Sequence, residues 1–131
     1  MSDCIFCKLA NGEIPTKTFF ENEDFRVIFD AAPASKGHAL ILPKKHYANL
    51  FEMPDELAAK LLPFAKEMAA SLMEKTGADG MNLVQNNGEA AGQTVFHFHL
   101  HLIPRYKGDD KSIANWKPGS QDEAFLDSLI D

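Results

Sequence analysis

Apolar residues recur at every second position or at helical spacing along most of the chain, and each pattern is closed by Gly, Pro or Asn. Thr18–Glu21 and Phe25–Phe29 read as strands around an Asn22-Glu23-Asp24 turn, a hairpin signal. Residues 38–42 are apolar and lie between Gly37 and Pro43, which predicts a third strand. Pro54-Asp55 opens the one long amphipathic helix, running to about residue 75 and stopped by Gly77. Leu57, Leu61, Phe64, Met68 and Leu72 form its apolar stripe, and Pro63 inside it is expected to kink it. Residues 81–85 predict a fourth strand and 97–103 a fifth. A short helix over 4–11, stopped by Gly12 with Pro15 beyond, precedes them, and 114–131 reads as a loop and a short terminal helix. Short hairpin- or loop-connected strands with one major helix predict an α+β fold with an antiparallel sheet. Without repeat, low-complexity tract or linker, residues 1–131 read as one domain. Trp116 in the tail is expected to be a packing residue rather than a lid.

Composition narrows the classes. At 131 residues and 45% hydrophobic content the chain can bury a real core. It carries 13 basic and 19 acidic residues, net −6, with no basic block, which argues against a nucleic-acid polymer or an anionic membrane as partner. A small anion held by backbone N–H groups and imidazoles remains compatible. No apolar run approaches a membrane span, and Met1-Ser2-Asp3-Cys4 lacks a leader pattern, so the expected location is the cytosol. In that reducing compartment Cys4 and Cys7 are expected to be free, metal-bound or redox-active rather than a structural disulfide.

The candidate chemistry centres on His97-Phe98-His99-Leu100-His101, three of the five histidines within five residues. Alternation puts the imidazoles on one strand face and Phe98, Leu100 and Leu102 on the other. A strand face simply bathed in water suits one such histidine better than three in register. Alternate side chains stand about 6.6 Å apart, the outer pair about 13 Å. One zinc ion, with nitrogens at about 2.0–2.1 Å, can take two neighbours but hardly all three. The histidines are therefore expected to divide their work between metal ligation and nucleophilic or acid/base catalysis.

Cys4-x-x-Cys7 fits a redox pair poorly because no βαβ pattern surrounds it. As half of a tetrahedral zinc site it needs two more ligands, and His38, His46 or one end of the triad could supply them, stapling the N-terminal helix to the sheet. The stretch from Asn86 to Thr94 is rich in small and amide residues, so its backbone can approach an anion and donate to it. Asp30 reads first as a turn former, or else as a carboxylate accepting from a sugar diol.

Together these residues resemble the histidine triad family of nucleotide hydrolases and transferases, named for His-φ-His-φ-His-φ-φ with φ apolar. The motif here is His97-Phe98-His99-Leu100-His101-Leu102-Ile103. Gly92-Gln93-Thr94-Val95-Phe96, Asn86, the stretch from Gly37-His38 to His46, and Cys4-Ile5-Phe6-Cys7-Lys8 with Gly12 and Ile14-Pro15 extend the likeness over about 4–106, with 107–131 as an extension. The resemblance implies a five-stranded antiparallel sheet with one long helix and short terminal helices, two such sheets joining across a homodimer. It implies a purine nucleoside monophosphate flanked by Ile5, Phe6 and Ile28, with Asp30 on the ribose and Asn86, Gln93 and Thr94 around the α-phosphate. It makes His99 the nucleophile, His101 the partner of phosphate or leaving group, and His38 a fourth active-site histidine. Structural zinc would be held by Cys4, Cys7, His46 and His97, with no organic cofactor. Related members often carry a larger aliphatic where Ala31 stands, which leaves the base preference open.

The expected activity is cleavage between the α-phosphate of a purine nucleoside monophosphate and its leaving group, a phosphoramidate or related compound, through a nucleotidyl-histidine. The alternatives are a dinucleoside polyphosphate hydrolase, a nucleotide-binding scaffold with little turnover, and a zinc enzyme whose histidines hold an open-site metal.

Overall fold

The computed structural model describes residues 4–109 and 119–130; Trp116 lies outside them. Five strands, β1 (Thr18–Glu21), β2 (Phe25–Phe29), β3 (Ala39–Pro43), β4 (Gly80–Val84) and β5 (Leu100–Arg105), form one antiparallel sheet in the order β1-β2-β3-β5-β4. The predicted hairpin is there: Asn22 Oδ1 accepts from the N–H groups of Asp24 (2.9 Å) and Phe25 (2.8 Å), holding the turn between β1 and β2.

β3 is buried along its whole length because both its faces are covered. Ala39 and Ile41 join Val27 of β2, Leu100 and Leu102 of β5, and Ala65, Met68 and Leu72 of the long helix α2 (Asp55–Thr76) in the main core. Leu40 and Leu42 face the other way and pack with Ile28, Ala10, Phe6 and Leu9, the last three from the short helix α1 (Ile5–Ala10). The same alternation sends Phe98, Leu100 and Leu102 into the main core and turns His99 and His101 towards the α1 side.

α2 begins with Asp55 and Glu56, whose carboxylates suit the positive end of the helix, and ends at Gly77, left-handed at φ 71° with its N–H on Met73 O. It continues through Pro63 without a break in the helix. Pro63 and Ala59, the residue four before it, are both exposed, so the carbonyl that loses its partner faces solvent. The terminal helix α3 (Glu123–Leu129) lies within the stretch expected to hold one.

One expectation is corrected. The fifth strand was placed over 97–103 but begins only at Leu100, so His97 and His99 precede it. The ladder stops because Pro43 at the end of β3 has no N–H to give and its carbonyl accepts from His97 Nε2 at 2.9 Å. The Phe98 N–H meanwhile donates to Tyr47 O at 2.7 Å, outside the sheet. No described helix is long and apolar enough to cross a membrane.

Candidate active site and metal cluster

α1 presents two chemically different surfaces, and the first is a sulfur–nitrogen cluster. Cys4 caps the helix, its Sγ accepting from the Cys7 N–H at 3.3 Å, which puts both thiols on one turn. His97 Nδ1 lies 3.4 Å from each sulfur, and His46 Nδ1 lies 3.3 Å from Cys7 Sγ. All four donor atoms fall within 4.8 Å of one another. With Zn–S near 2.3 Å and Zn–N near 2.0–2.1 Å, a tetrahedral site has S···N edges of about 3.5 Å, so the spacing matches. The tautomer matches too. The fully buried His97 donates Nε2–H to Pro43 O, which leaves the Nδ1 lone pair towards the sulfurs. Burial pushes the Cys7 thiol up, helped by the Cys4 thiol beside it, and pushes His97 down to about 4. A dication would reverse the first shift by favouring thiolate.

The second surface is a cavity of about 580 Å³. Ile5, Phe6, Leu9, Ile28 and Leu40 give it an apolar end; Asn86, Gly92, Thr94, His99 and His101 give it a polar one, with Asp30 also on its wall. Among the described residues no lysine or arginine lines it. His99 donates Nδ1–H to His97 O at 2.8 Å, so Nε2 is the nitrogen with a free lone pair on a ring lining the cavity. Phe6 sets its ring edge-on to His99, centroids 4.9 Å apart at 82°.

His101 is fixed in the opposite sense. Ala34 N–H donates to His38 Nδ1 at 2.9 Å, so His38 carries its proton on Nε2 and gives it to His101 Nδ1 at 2.9 Å. His101 then keeps N–H at Nε2. Asp30 Oδ2 stands 3.5 Å from His38 Nε2. These three groups lie close enough to hold a metal, but the chemistry refuses it: with Nδ1 accepting, His38 cannot free its Nε2 lone pair. The two histidine clusters thus differ in kind. One offers lone pairs to a cation, the other passes a proton line.

Burial lowers the pKa of His101 to about 4, with His99 and His38 adding to the effect and Asp30 opposing it; burial lowers His38 as well. A histidine depressed in the folded state takes its proton first in the unfolded one, so stability falls as pH drops. The loss should set in near the ordinary value of 6.5 and be complete near 4. The urea midpoint is expected to fall across that window, and more shallowly in His101→Asn; equal slopes for the two would remove His101 as the cause.

The loop between β4 and β5 shapes the polar end. Gly92 sits at φ 95°, a turn that a side chain would strain, and brings the backbone to the cavity. Gln93, expected beside the phosphate, does not line the cavity. Its Oε1 accepts from the Gly88 N–H at 2.8 Å, and its Nε2 donates to Ala48 O at 2.6 Å and Val95 O at 3.0 Å. It braces the loop. His38 is likewise buried behind His101 rather than on the wall. The other expected groups, Ile5, Phe6, Ile28, Asp30, Asn86, Thr94, His99 and His101, come together on one cavity. Gly92 and Val95 of the same loop line it, and so do Leu9, Thr16, Phe29 and Leu40, which the sequence reading did not single out. Leu9 follows Ile5 by one helical turn and Leu40 pairs with Ile28 across the sheet, so both were findable by spacing. Thr16 stands in an irregular loop, where no periodicity points to it.

A family model described as the HIT domain matches residues 11–108. The chain belongs to the HIT family. Among HIT relatives, an uncharacterized HIT-like protein of Methanocaldococcus jannaschii is 46% identical over 127 residues, 97% of this chain and 95% of that one. An adenosine 5′-monophosphoramidase of Saccharomyces cerevisiae is 41% identical over 128 residues, 96% of this chain and 77% of the yeast protein. The crystal structure of a Zn-bound histidine triad family protein from Mycobacterium smegmatis matches with a TM-score of 0.80 at 36% identity, covering 98% of each chain. The α+β architecture is that of HIT structures, and HIT membership with phosphoramidase-named relatives supports nucleotide hydrolysis as the activity.

Proposed function

We propose that this HIT protein cleaves the bond between the α-phosphate of a purine nucleoside monophosphate and an amine leaving group, through a nucleotidyl intermediate on His99. The observation that carries this is the fixed tautomer of His99, whose Nε2 lone pair is left on the wall of a cavity apolar at one end and rich in neutral donors at the other. The base lies against Ile5, Phe6 and Ile28, Asp30 accepts from the ribose hydroxyls, and Asn86, Thr94 and the backbone at Gly92 surround the phosphate, with Gln93 holding that loop in shape. His99 Nε2 bonds to phosphorus as the phosphorus–nitrogen bond breaks, and the amine leaves with the electron pair and takes a proton. His101 Nε2–H donates to the phosphoryl group in this step, backed by the His38 Nε2–H. Water then displaces His99 from phosphorus and frees the monophosphate.

The decisive experiment compares kcat/KM for adenosine phosphoramidate with that for dinucleoside polyphosphates. Preference for the polyphosphates would transfer the assignment to that substrate class, and tight AMP binding without turnover of either would leave a scaffold. Asp30→Ala should weaken AMP about 10–100-fold, the worth of a hydrogen bond to a charged group, and erase the preference for AMP over its 2′,3′-dideoxy analogue. A discrimination ratio unchanged by the substitution would take the ribose away from Asp30.

We further assign structural zinc to Cys4, Cys7, His46 and His97, where it would tie α1 to β3 and to the segment ahead of β5. The chain is also proposed to form a homodimer through β4. That strand is one of the two edges of the sheet, with Leu83 41% exposed, and α2 carries Leu62 66% exposed.

A further inference from the structure

The two surfaces of α1 share the same residues' backbone, and this has a thermodynamic consequence. At its C-terminal end the helix is tied to the sheet by ordinary hydrogen bonds: Arg26 Nε donates to Ala10 O at 3.1 Å, and Asn11 Nδ2 donates to Lys44 O at 2.9 Å. Ala10 is fully buried. At its N-terminal end the ties are of another kind: the Cys4 and Cys7 sulfurs against His97 and His46, and the Phe6 ring against His97 (6.2 Å) and His99 (4.9 Å). Ile5 and Phe6, which wall the apolar end of the cavity, sit between Cys4 and Cys7 in the same turn. A helix of six residues has no stability of its own and frays from whichever end is least held. On the sheet side, the peptide joining the two sites is equally direct, since the carbonyl of His97 accepts the His99 Nδ1–H that sets the nucleophile's tautomer.

We infer that the metal cluster and the nucleotide cavity are coupled binding sites, with the first turn of α1 as the element both ligands order. This rests on the nucleotide and zinc assignments above. Metal at Cys4, Cys7, His46 and His97 holds Ile5 and Phe6 against the cavity, and a nucleotide packed on Ile5 and Phe6 holds the two thiols at the histidines. Each ligand then tightens the other by the same factor, because binding linkage is reciprocal. A coupling carried by one ordered helical turn falls in the usual range of about 5–150-fold.

The test uses the full chain with Zn²⁺ and AMP as probes. The zinc dissociation constant is measured by competition with a chelating dye, with and without saturating AMP, and the AMP dissociation constant by calorimetry on zinc-loaded and zinc-stripped protein. Both ratios are expected to be at least about 5-fold and equal. Hydrogen exchange then locates the element. In the stripped protein the α1 amides should exchange well ahead of those of β3 and β5, and AMP should slow them again. Equal AMP affinity in the two forms overturns the coupling while leaving the nucleotide reading intact. Equal protection of α1, β3 and β5 in the stripped protein also overturns it, because the metal would then act only through the stability of the whole domain. If zinc-loaded protein binds no AMP at all, it is the nucleotide reading that fails.

Discussion

His99→Ala is expected to abolish the proposed phosphoramidate cleavage, with kcat falling at least about 10⁴-fold while AMP affinity stays within about tenfold. The two halves of that expectation have separate causes. The rate is expected to depend on one lone pair at one atom, Nε2, which the other described groups at the polar end do not supply: His101 presents N–H there, and Asn86 and Thr94 are neutral donors or weak acceptors. Affinity depends on the apolar walls and on Asp30, which the substitution leaves in place apart from the contact between Phe6 and the lost ring. Acid quench of the wild-type reaction should trap a nucleotide on His99 through a phosphorus–nitrogen bond, found by peptide mass, and none in the variant. If His99→Ala kept near-native rates, or if the trapped label sat on another residue, the nucleophile assignment would be lost. A variant that binds AMP far more weakly would instead make His99 a binding group, with catalysis to be sought elsewhere.

Much of this arrangement is legible in the sequence because it follows from period-two alternation and from local caps. The hairpin around Asn22, the apolar run of β3 and the opposite directions of Leu100 and His101 are all determined by neighbours within a few residues. The sulfur–nitrogen cluster was reached differently. Spacing alone offered His38, His46 and the triad as partners for the Cys pair, and only the family likeness chose among them. The structure brings His46 and His97 to the thiols and sets His38 apart, with its Nδ1 occupied by the Ala34 N–H. What the sequence concealed are contacts across the fold that no period encodes. The start of β5 is decided by the Pro43 carbonyl, 54 residues from the His97 ring that occupies it, and Gln93 is drawn off the cavity wall by Ala48 O, 45 residues away. The tautomers of His97 and His101 rest on such contacts, while that of His99 is set by a near neighbour, His97 O, so the division of labour among them follows from geometry that residue identity alone could not supply.

Stripping the proposed zinc is expected to lower the melting temperature by on the order of 10–20 °C, and Cys7→Ala to make the chain insensitive to the same treatment. The size follows from mass action: with free zinc about 1,000 times above its dissociation constant, binding only to the folded chain adds about 4 kcal/mol. In a domain of 131 residues each kcal/mol moves the transition by roughly 3–5 °C. The fold should survive the loss, because the main core of Val27, Ile41, Leu72, Phe98 and Leu102 lies on the other face of the sheet from the cluster. Cys7→Ala removes one of four donors from a buried position; the remaining three are expected to bind too weakly for a chelator to matter. Turnover at saturating substrate separates this staple from an open catalytic site. A metal serving as Lewis acid would take the reaction with it when removed, whereas a staple leaves His99, His101 and the loop donors to work once the substrate is bound. Retained kcat with a raised KM and a lowered melting temperature is the signature expected here. A melting temperature indifferent to chelation in protein shown to contain zinc would mean that the cluster holds nothing in place.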